Sequence, residues 1–465
     1  MTTLLLRADA GPSIGVGHLS RCVALAEAAV SRGWRAVLAG NVTGADWLLA
    51  RLSDLDVPVV PPGRFDADIV LVDHYGLGEL PDVRAAARLV SMEDGTFGRR
   101  AADVVVDANL VPSARPADGS PVVLAGPRFA PLRSDVVAAR SARSGGELEV
   151  VVVMGGGASG AAVAAALTAL RDTGVPLTAR AISATAVPVD PGPGQRFVVE
   201  SPTPALPALL ARADLVISAA GVTLLELCCL GVPAALVQLA DNQAVGYRAA
   251  VDQGLAVGLG TVADLPSATP ALRTLLRDPA NRARLGRAGR SLVDGHGARR
   301  ILDAAELTIR PATESDAELL LKWRNDPETL RWSRSHQPVT EPVHRAWLHN
   351  SLRDPDRLLF IVESDHPLGT IRFDREADAW EVSITVAPPD RGKSLSPRLL
   401  TLGEGALRAQ QGAAKIRANI HRDNAASLHL FHDAGYVESD RSDGPFRWLT
   451  KPSCPQPPGL STETR

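Results

Sequence analysis

The segment Arg7-Ala8-Asp9-Ala10-Gly11-Pro12-Ser13-Ile14-Gly15-Val16-Gly17-His18 leaves the apolar run Leu4 to Leu6 and enters an apolar helical pattern near Ser20. A helix that follows a glycine-bearing loop presents unpaired backbone N–H groups and the positive end of its dipole, which suits a phosphoryl ligand. His18 stands at that junction. Imidazole is the side chain that changes charge near neutral pH, so acid/base chemistry is expected beside the phosphate. Asp73-His74-Tyr75-Gly76 places a carboxylate, an imidazole and a phenol after the apolar run Ile69 to Val72, and Glu93-Asp94 and Asp107-Ala108-Asn109 set polar groups at two further strand ends.

Four later stretches lie at strand ends or helix starts, where ligands of such folds bind, and the first and last of them suit a nucleotide or a diphosphate. Ile217-Ser218-Ala219-Ala220-Gly221-Val222-Thr223-Leu224-Leu225-Glu226 reads as a strand, a small-residue turn and a helix start. The turn lets a nucleotide approach the backbone, and Glu226 is placed either to accept hydrogen bonds from ribose hydroxyls or to be stabilised by the helix dipole. Gly155-Gly156-Gly157 ends the buried run Glu149 to Met154, and Asp241-Asn242-Gln243 follows another apolar run. Arg391-Gly392-Lys393-Ser394-Leu395-Ser396 opens a helix over Pro397 to Ala409, again a diphosphate setting. Glu381, on the strand before it, is either a base acting through water or a solvent-facing strand residue.

The elements that must position these residues follow from the texture of the chain. Short apolar runs alternate with Ala/Leu/Arg-rich helical stretches up to about residue 300, the pattern of parallel sheets covered by helices. The predicted organisation is a Rossmann-like lobe at 1–143, a second at 144–303, an α+β domain at 304–451 and a disordered Pro/Ser/Thr-rich tail at 452–465. With 465 residues, 45% hydrophobic content and a net charge of −3, the chain has ample core, and nothing marks it as a nucleic-acid or membrane binder. Cys22, Cys228, Cys229 and Cys454 form no CxxC pair, which argues against a zinc site and a disulfide framework; a cytoplasmic setting and no metal requirement are expected.

Residues 3–300 resemble the two-lobed GT-B nucleotide-sugar enzymes, most closely the UDP-sugar hydrolases of pseudaminic acid biosynthesis. The most specific pieces are the segment from Arg7 to Cys22, Asp73-His74-Tyr75-Gly76, Gly126-Pro127-Arg128-Phe129-Ala130-Pro131-Leu132-Arg133, and the stretch from Gly221 to Gln243. The resemblance implies that His18 activates water against the anomeric carbon, with Asn242 assisting and with Tyr75 and Asp73 shaping the sugar pocket. It places UDP on the second lobe, with Val222 at the uracil, Glu226 at the ribose, Gly155, Gly156, Gly157 and Thr223 at the diphosphate, and Gly221 and Gln243 beside them. A glycosyltransferase of the same fold shares this nucleotide half, so transfer to an acceptor stays open.

Residues 307–450 resemble the GNAT acyltransferases. The implied ligand is acetyl-CoA, with its pyrophosphate on Arg391, Gly392, Lys393, Ser394 and Ser396, and with Asn424 and Ser427 on the pantetheine side. Two glycines usual in that loop are here Ser394 and Ser396, and Phe431 stands where a tyrosine acid is common. The pairing implies a bifunctional enzyme that acetylates a UDP-amino-sugar and then removes UDP; a GNAT-like module used only for docking is the alternative.

Overall fold

In this computed structural model, which describes residues 1–11, 14–63, 66–140, 146–155 and 160–451, two parallel sheets and one mainly antiparallel sheet follow one another along the chain. Among the described residues the first sheet has seven strands, from Thr3–Arg7 to Val123–Ala125, in the order 3-2-1-4-5-6-7 counted along the chain. The second has six, from Glu149–Val153 to Ala256–Thr261, in the order 3-2-1-4-5-6. Each order reverses beside its first strand, which opens a crevice at the carboxyl ends of the strands. Inner strands such as Ile69–Val72 are buried on both faces, which is why they read as unbroken apolar runs. These are the two Rossmann-like lobes.

The third sheet has seven strands among the described residues, in the order 1-2-3-4-5-7-6, from Thr308–Pro311 to Phe446–Lys451. Its fourth and fifth strands, Ala379–Val386 and Lys415–His421, run parallel and every other neighbouring pair is antiparallel. The parallel pair is registered only from Ala379–Lys415 to Val382–Ala418. Beyond that point Ser383 and Asn419 turn apart, each still paired to its outer neighbour, and a cleft opens between the two strands. Leu359 and Ile361 face one side of the sheet, against helices Ala317–Arg324 and Glu341–Ser351, while Phe360 and Val362 face the other.

Helix Gly297–Glu306, grouped by sequence mostly with the second lobe, packs on the first: Ala298, Ile301, Leu302 and Ala305 share one core with Leu19, Val23 and Leu25. Each fully buried leucine or isoleucine contributes about 1.5–3 kcal/mol, enough to hold the crossover. The same core continues into the third domain through helix Ser396–Gln411. A β carbon at Gly403 would lie 2.2 Å from Ile371 Cδ1, and one at Gly405 2.7 Å from Val122 Cγ1, so two glycines inside this helix let it lie flush between both sheets. Arg128 donates to the Ala434 carbonyl (2.8 Å) and Arg88 to that of Leu307 (2.6 Å), so the third domain is docked on the first lobe by polar contacts as well.

Two candidate active sites

The first site forms where strands Thr3–Arg7, Ile69–Val72, Arg88–Glu93 and Val104–Asp107 end and helix Gly17–Val30 begins. His18, 5% exposed, has Nδ1 2.6 Å from Asp73 Oδ1. Arg21, one helical turn on, donates to the same carboxylate at 2.7 and 2.8 Å. Burial works to raise the pKa of Asp73, but the charge and hydrogen bonds of Arg21 and His18 overcome it and hold the carboxyl well below the ordinary range. An ionised carboxylate has no proton to give, so Nδ1 donates to it and the basic lone pair of His18 lies on Nε2.

Asp73 therefore positions the histidine, a role the sequence reading, which set it in the sugar pocket, missed. Arg21 was missed as well, although its spacing of three from His18 puts both on one helix face. Tyr75 meets the His18 ring edge-on at 4.4 Å and donates to Asp94 at 2.5 Å. Asn109 links Asp94 (3.0 Å) to Asp107 (2.8 Å), whose carboxyl burial pushes up to about 6. His74 spends both ring nitrogens locally, on Asp9 (3.0 Å) and the Gly76 N–H (3.0 Å), and is a structural residue.

Helix Val222–Leu230 of the second lobe adjoins this site. A β carbon built at Gly17 would lie 3.5 Å from Val222 Cγ2, so the N-termini of the two helices meet, and neither is capped by a side chain. Val222, Thr223 and Gly221 thus lie beside His18's helix, and Gly155, in the left-handed region at φ +84°, ends the strand Glu149–Val153. Gly156 and Gly157 lie outside the described residues, as does the side chain of Asn242, which sits in the turn Asp241–Gln243.

Two second-lobe residues differ from expectation. Glu226 is buried and accepts from Arg133 of the first lobe (3.2 Å), which also donates to Ser20 (2.6 Å), so an inter-lobe ion pair stands where a ribose contact was expected. Burial raises the Glu226 carboxyl and Arg133 opposes this. Gln243 folds back to accept from the Leu239 N–H (2.9 Å), bracing its own loop rather than facing outward.

The second site is the cleft of about 1000 Å³ at the splayed strands of the third domain. Glu381, Arg391, Gly392, Ser394, Ser396, Asn424 and Ser427 all line it. Lys393 is turned away to Asp390 (2.7 Å) and Arg391 is tied to Asp326 (2.6 Å) and Thr329 (2.9 Å), so the loop's cations are engaged within the protein. What the loop offers is backbone. Helix Ser396–Gln411 has no side-chain cap, and both Gly392 (φ +79°) and Ser394 (φ +56°) adopt left-handed backbone. Asn424 caps helix Ala425–Asp433 through the Ser427 N–H (3.0 Å). Burial raises the Glu381 carboxyl against the pull of Arg334, 3.8 Å away.

Residues 306–437 match the family model of the acetyltransferase (GNAT) domain. The C-terminal domain is a GNAT acetyltransferase domain. No curated protein matches the chain significantly. Similar solved structures include MurG of Acinetobacter baumannii, 17% identical, covering 65% of this chain and 99% of that one with a TM-score of 0.48. Others are the spermidine N-acetyltransferase of Vibrio cholerae in complex with CoA and spermine (16% identity, 32% and 95% coverage, TM-score 0.29) and yncA of Salmonella typhimurium with its cofactor acetyl-CoA (20%, 34% and 98%, 0.28).

Within the GNAT domain, the serine that replaces a loop glycine keeps glycine-like backbone at Ser394, at a strain of about 1–2 kcal/mol. Phe431 packs edge-on against Tyr436 at 4.9 Å, and Tyr436 is buried and donates to Glu404 (2.8 Å) at the junction with the first lobe. Among the described residues no helix is long and apolar enough to cross a membrane, and no cluster of His, Cys, Asp or Glu is arranged to hold a metal ion.

Proposed function

We propose that the chain is a bifunctional nucleotide-sugar enzyme. The GNAT domain acetylates the amino group of a UDP-linked amino sugar, and the paired lobes hydrolyse the resulting UDP-linked 2,4-diacetamido-trideoxy sugar to UDP and free sugar, the chemistry of pseudaminic acid biosynthesis. The observation that carries hydrolysis is the His18–Asp73–Arg21 cluster set beside two converging, uncapped helix N-termini. His18 Nε2 takes the proton of a water whose oxygen bonds to the anomeric carbon, the bond from that carbon to the phosphate oxygen breaks, and UDP leaves toward the N–H groups of the two helices.

The GNAT cleft fits acetyl-CoA. The splay beyond Val382 and Ala418 leaves room for an extended chain, and the left-handed turn before Ser396 directs backbone N–H groups at the uncapped helix for a pyrophosphate. Acetyl-CoA, when bound, supplies the acetyl group as a reactive thioester. Asn424 and Ser427 flank the path, and Glu381 accepts the proton of the amine through water. Mass spectrometry of UDP-amino-sugars with and without acetyl-CoA tests both halves. Acetylated UDP-sugar, and free sugar plus UDP without any added acceptor, are expected. A need for an acceptor sugar would make the lobes a transferase, and absence of acetyl-CoA binding by calorimetry would reduce the GNAT domain to a docking module.

A further inference from the structure

One end of the GNAT cleft carries polar groups that the fold leaves unsatisfied. Arg324, last residue of helix Ala317–Arg324, gives Nη2 to the Ser335 carbonyl (3.1 Å), while its Nη1 is buried in the cleft wall without a partner. Among the described residues it pairs with no carboxylate. His344, on helix Glu341–Ser351, is 3% exposed, lines the same cleft, and has an Nε2 that is likewise buried and unpartnered. Arg324 lies within electrostatic reach of His344 and of Arg372, and Arg372 in turn is within reach of Glu381. The Arg372 guanidinium donates to Asp374 (2.7 Å) and stands over Trp347 at 5.9 Å, and that ring lies 5.3 Å from His344.

Burial disfavours the charged form of the His344 imidazole and its other ring nitrogen donates to the Ala317 backbone, so Nε2 is an acceptor. Buried polar atoms are normally hydrogen-bonded, and the unpaired Arg324 donor points to an acceptor group supplied from outside, with His344 Nε2 beside it to accept from the same ligand. A guanidinium fork matches the oxygens of a phosphate or a carboxylate, and the same charges repel a polycation. We propose that Arg324, with the Asp374-paired Arg372 nearby, forms an anion subsite that reads a phosphate or carboxylate on the same molecule whose amine faces Glu381, while His344 Nε2 accepts from a hydroxyl or N–H of that molecule. This rests on the acetyl-transfer reading above and adds which residues recognise the acceptor's charge; the diphosphate of a nucleotide-linked amine is one source of that charge.

The test follows CoA thiol release by the full chain with four amines: a UDP-linked 4-amino sugar, the same sugar without UDP, aspartate and spermidine. The KM of the UDP-linked amine is expected to lie about 10–100-fold below that of the free sugar, the range of one or two charge-assisted hydrogen bonds. Arg324→Gln should raise that KM by the same factor, leave the KM values of acetyl-CoA and the free sugar unchanged, and be partly rescued by Arg324→Lys. On the wild-type chain, which removes any question of misfolding, UDP should compete with the acceptor and not with acetyl-CoA. Preference for aspartate with the same Arg324 dependence supports the subsite and assigns it to carboxylates. Preference for spermidine, competition of UDP with acetyl-CoA, or an unchanged KM in Arg324→Gln overturns the subsite while leaving acetyl transfer standing. No acetylation of any of the four overturns acetyl transfer itself, and the subsite falls with it.

Discussion

Asp73→Asn removes one charge from the first lobe and almost no volume. Asp73 is 1% exposed and accepts from His18 at 2.6 Å and from Arg21 at 2.7 and 2.8 Å. Without the carboxylate, the Arg21 guanidinium stays in place with no counter-ion, and the new amide N–H faces one of two donors. Breaking a buried pair by removing one partner costs about 3–5 kcal/mol, and that loss is expected in urea unfolding followed by circular dichroism. His18 also loses the charged acceptor that fixes its Nδ1 proton, so the general-base contribution of about 10²–10⁴-fold to UDP release should largely be lost at temperatures where the variant is still folded.

The sign of the pH dependence follows from the depressed pKa of Asp73. A carboxylate held below its unfolded value contributes stability above that value, near pH ~3.9, and loses it as pH falls through the lower folded value. The wild-type chain should therefore shed this contribution on acidification below about pH 4, and Asp73→Asn should show a shallower acid limb, carried by other depressed carboxylates such as Asp9 and Asp294. A variant with unchanged unfolding free energy, or one that releases UDP within about twofold of the wild-type rate, would refute the reasoning, since either result means that the carboxylate does not hold His18.

Three further outcomes are expected. Glu381→Gln should lower kcat for acetyl transfer by about 10²-fold or more and abolish an acid limb lying above the ordinary glutamate range, because burial raises this carboxyl and the base works only when ionised; the kcat–pH profile measures both. Ser394→Gly should keep acetyl-CoA affinity within about threefold, whereas Ser394→Val, branched at a left-handed position, should weaken it about tenfold by calorimetry. Arg133→Met should destabilise the chain by about 3–5 kcal/mol through the stranded Glu226, and the double variant Arg133→Met, Glu226→Met should recover most of that in a double-mutant cycle.

The parallel sheets of the two lobes were legible because buried parallel strands leave unbroken apolar runs. His18 was legible from its glycine loop. The carboxylate that holds it was not, because Asp73 lies 55 positions from His18 and 52 from Arg21 and only the strand order brings them together. Glu226 illustrates the opposite failure. A carboxylate one turn into a helix after a small-residue turn is a fair ribose acceptor locally, but Arg133 arrives from a segment 93 residues away, and no local pattern records that. Helix Gly297–Glu306 follows the second lobe in sequence and packs on the first for the same reason: its apolar face says that it is buried, not against what.

The most direct test of the hydrolytic site is His18→Asn, read by two measurements on one preparation: UDP affinity by calorimetry and UDP release from a UDP-linked diacetamido sugar. Affinity within about threefold of wild type together with release reduced by about 10²-fold or more is the expected result, since the asparagine spares the helix N-termini and removes the base. Release at the wild-type rate, or loss of UDP binding, would contradict the assignment of His18 as the group that activates water.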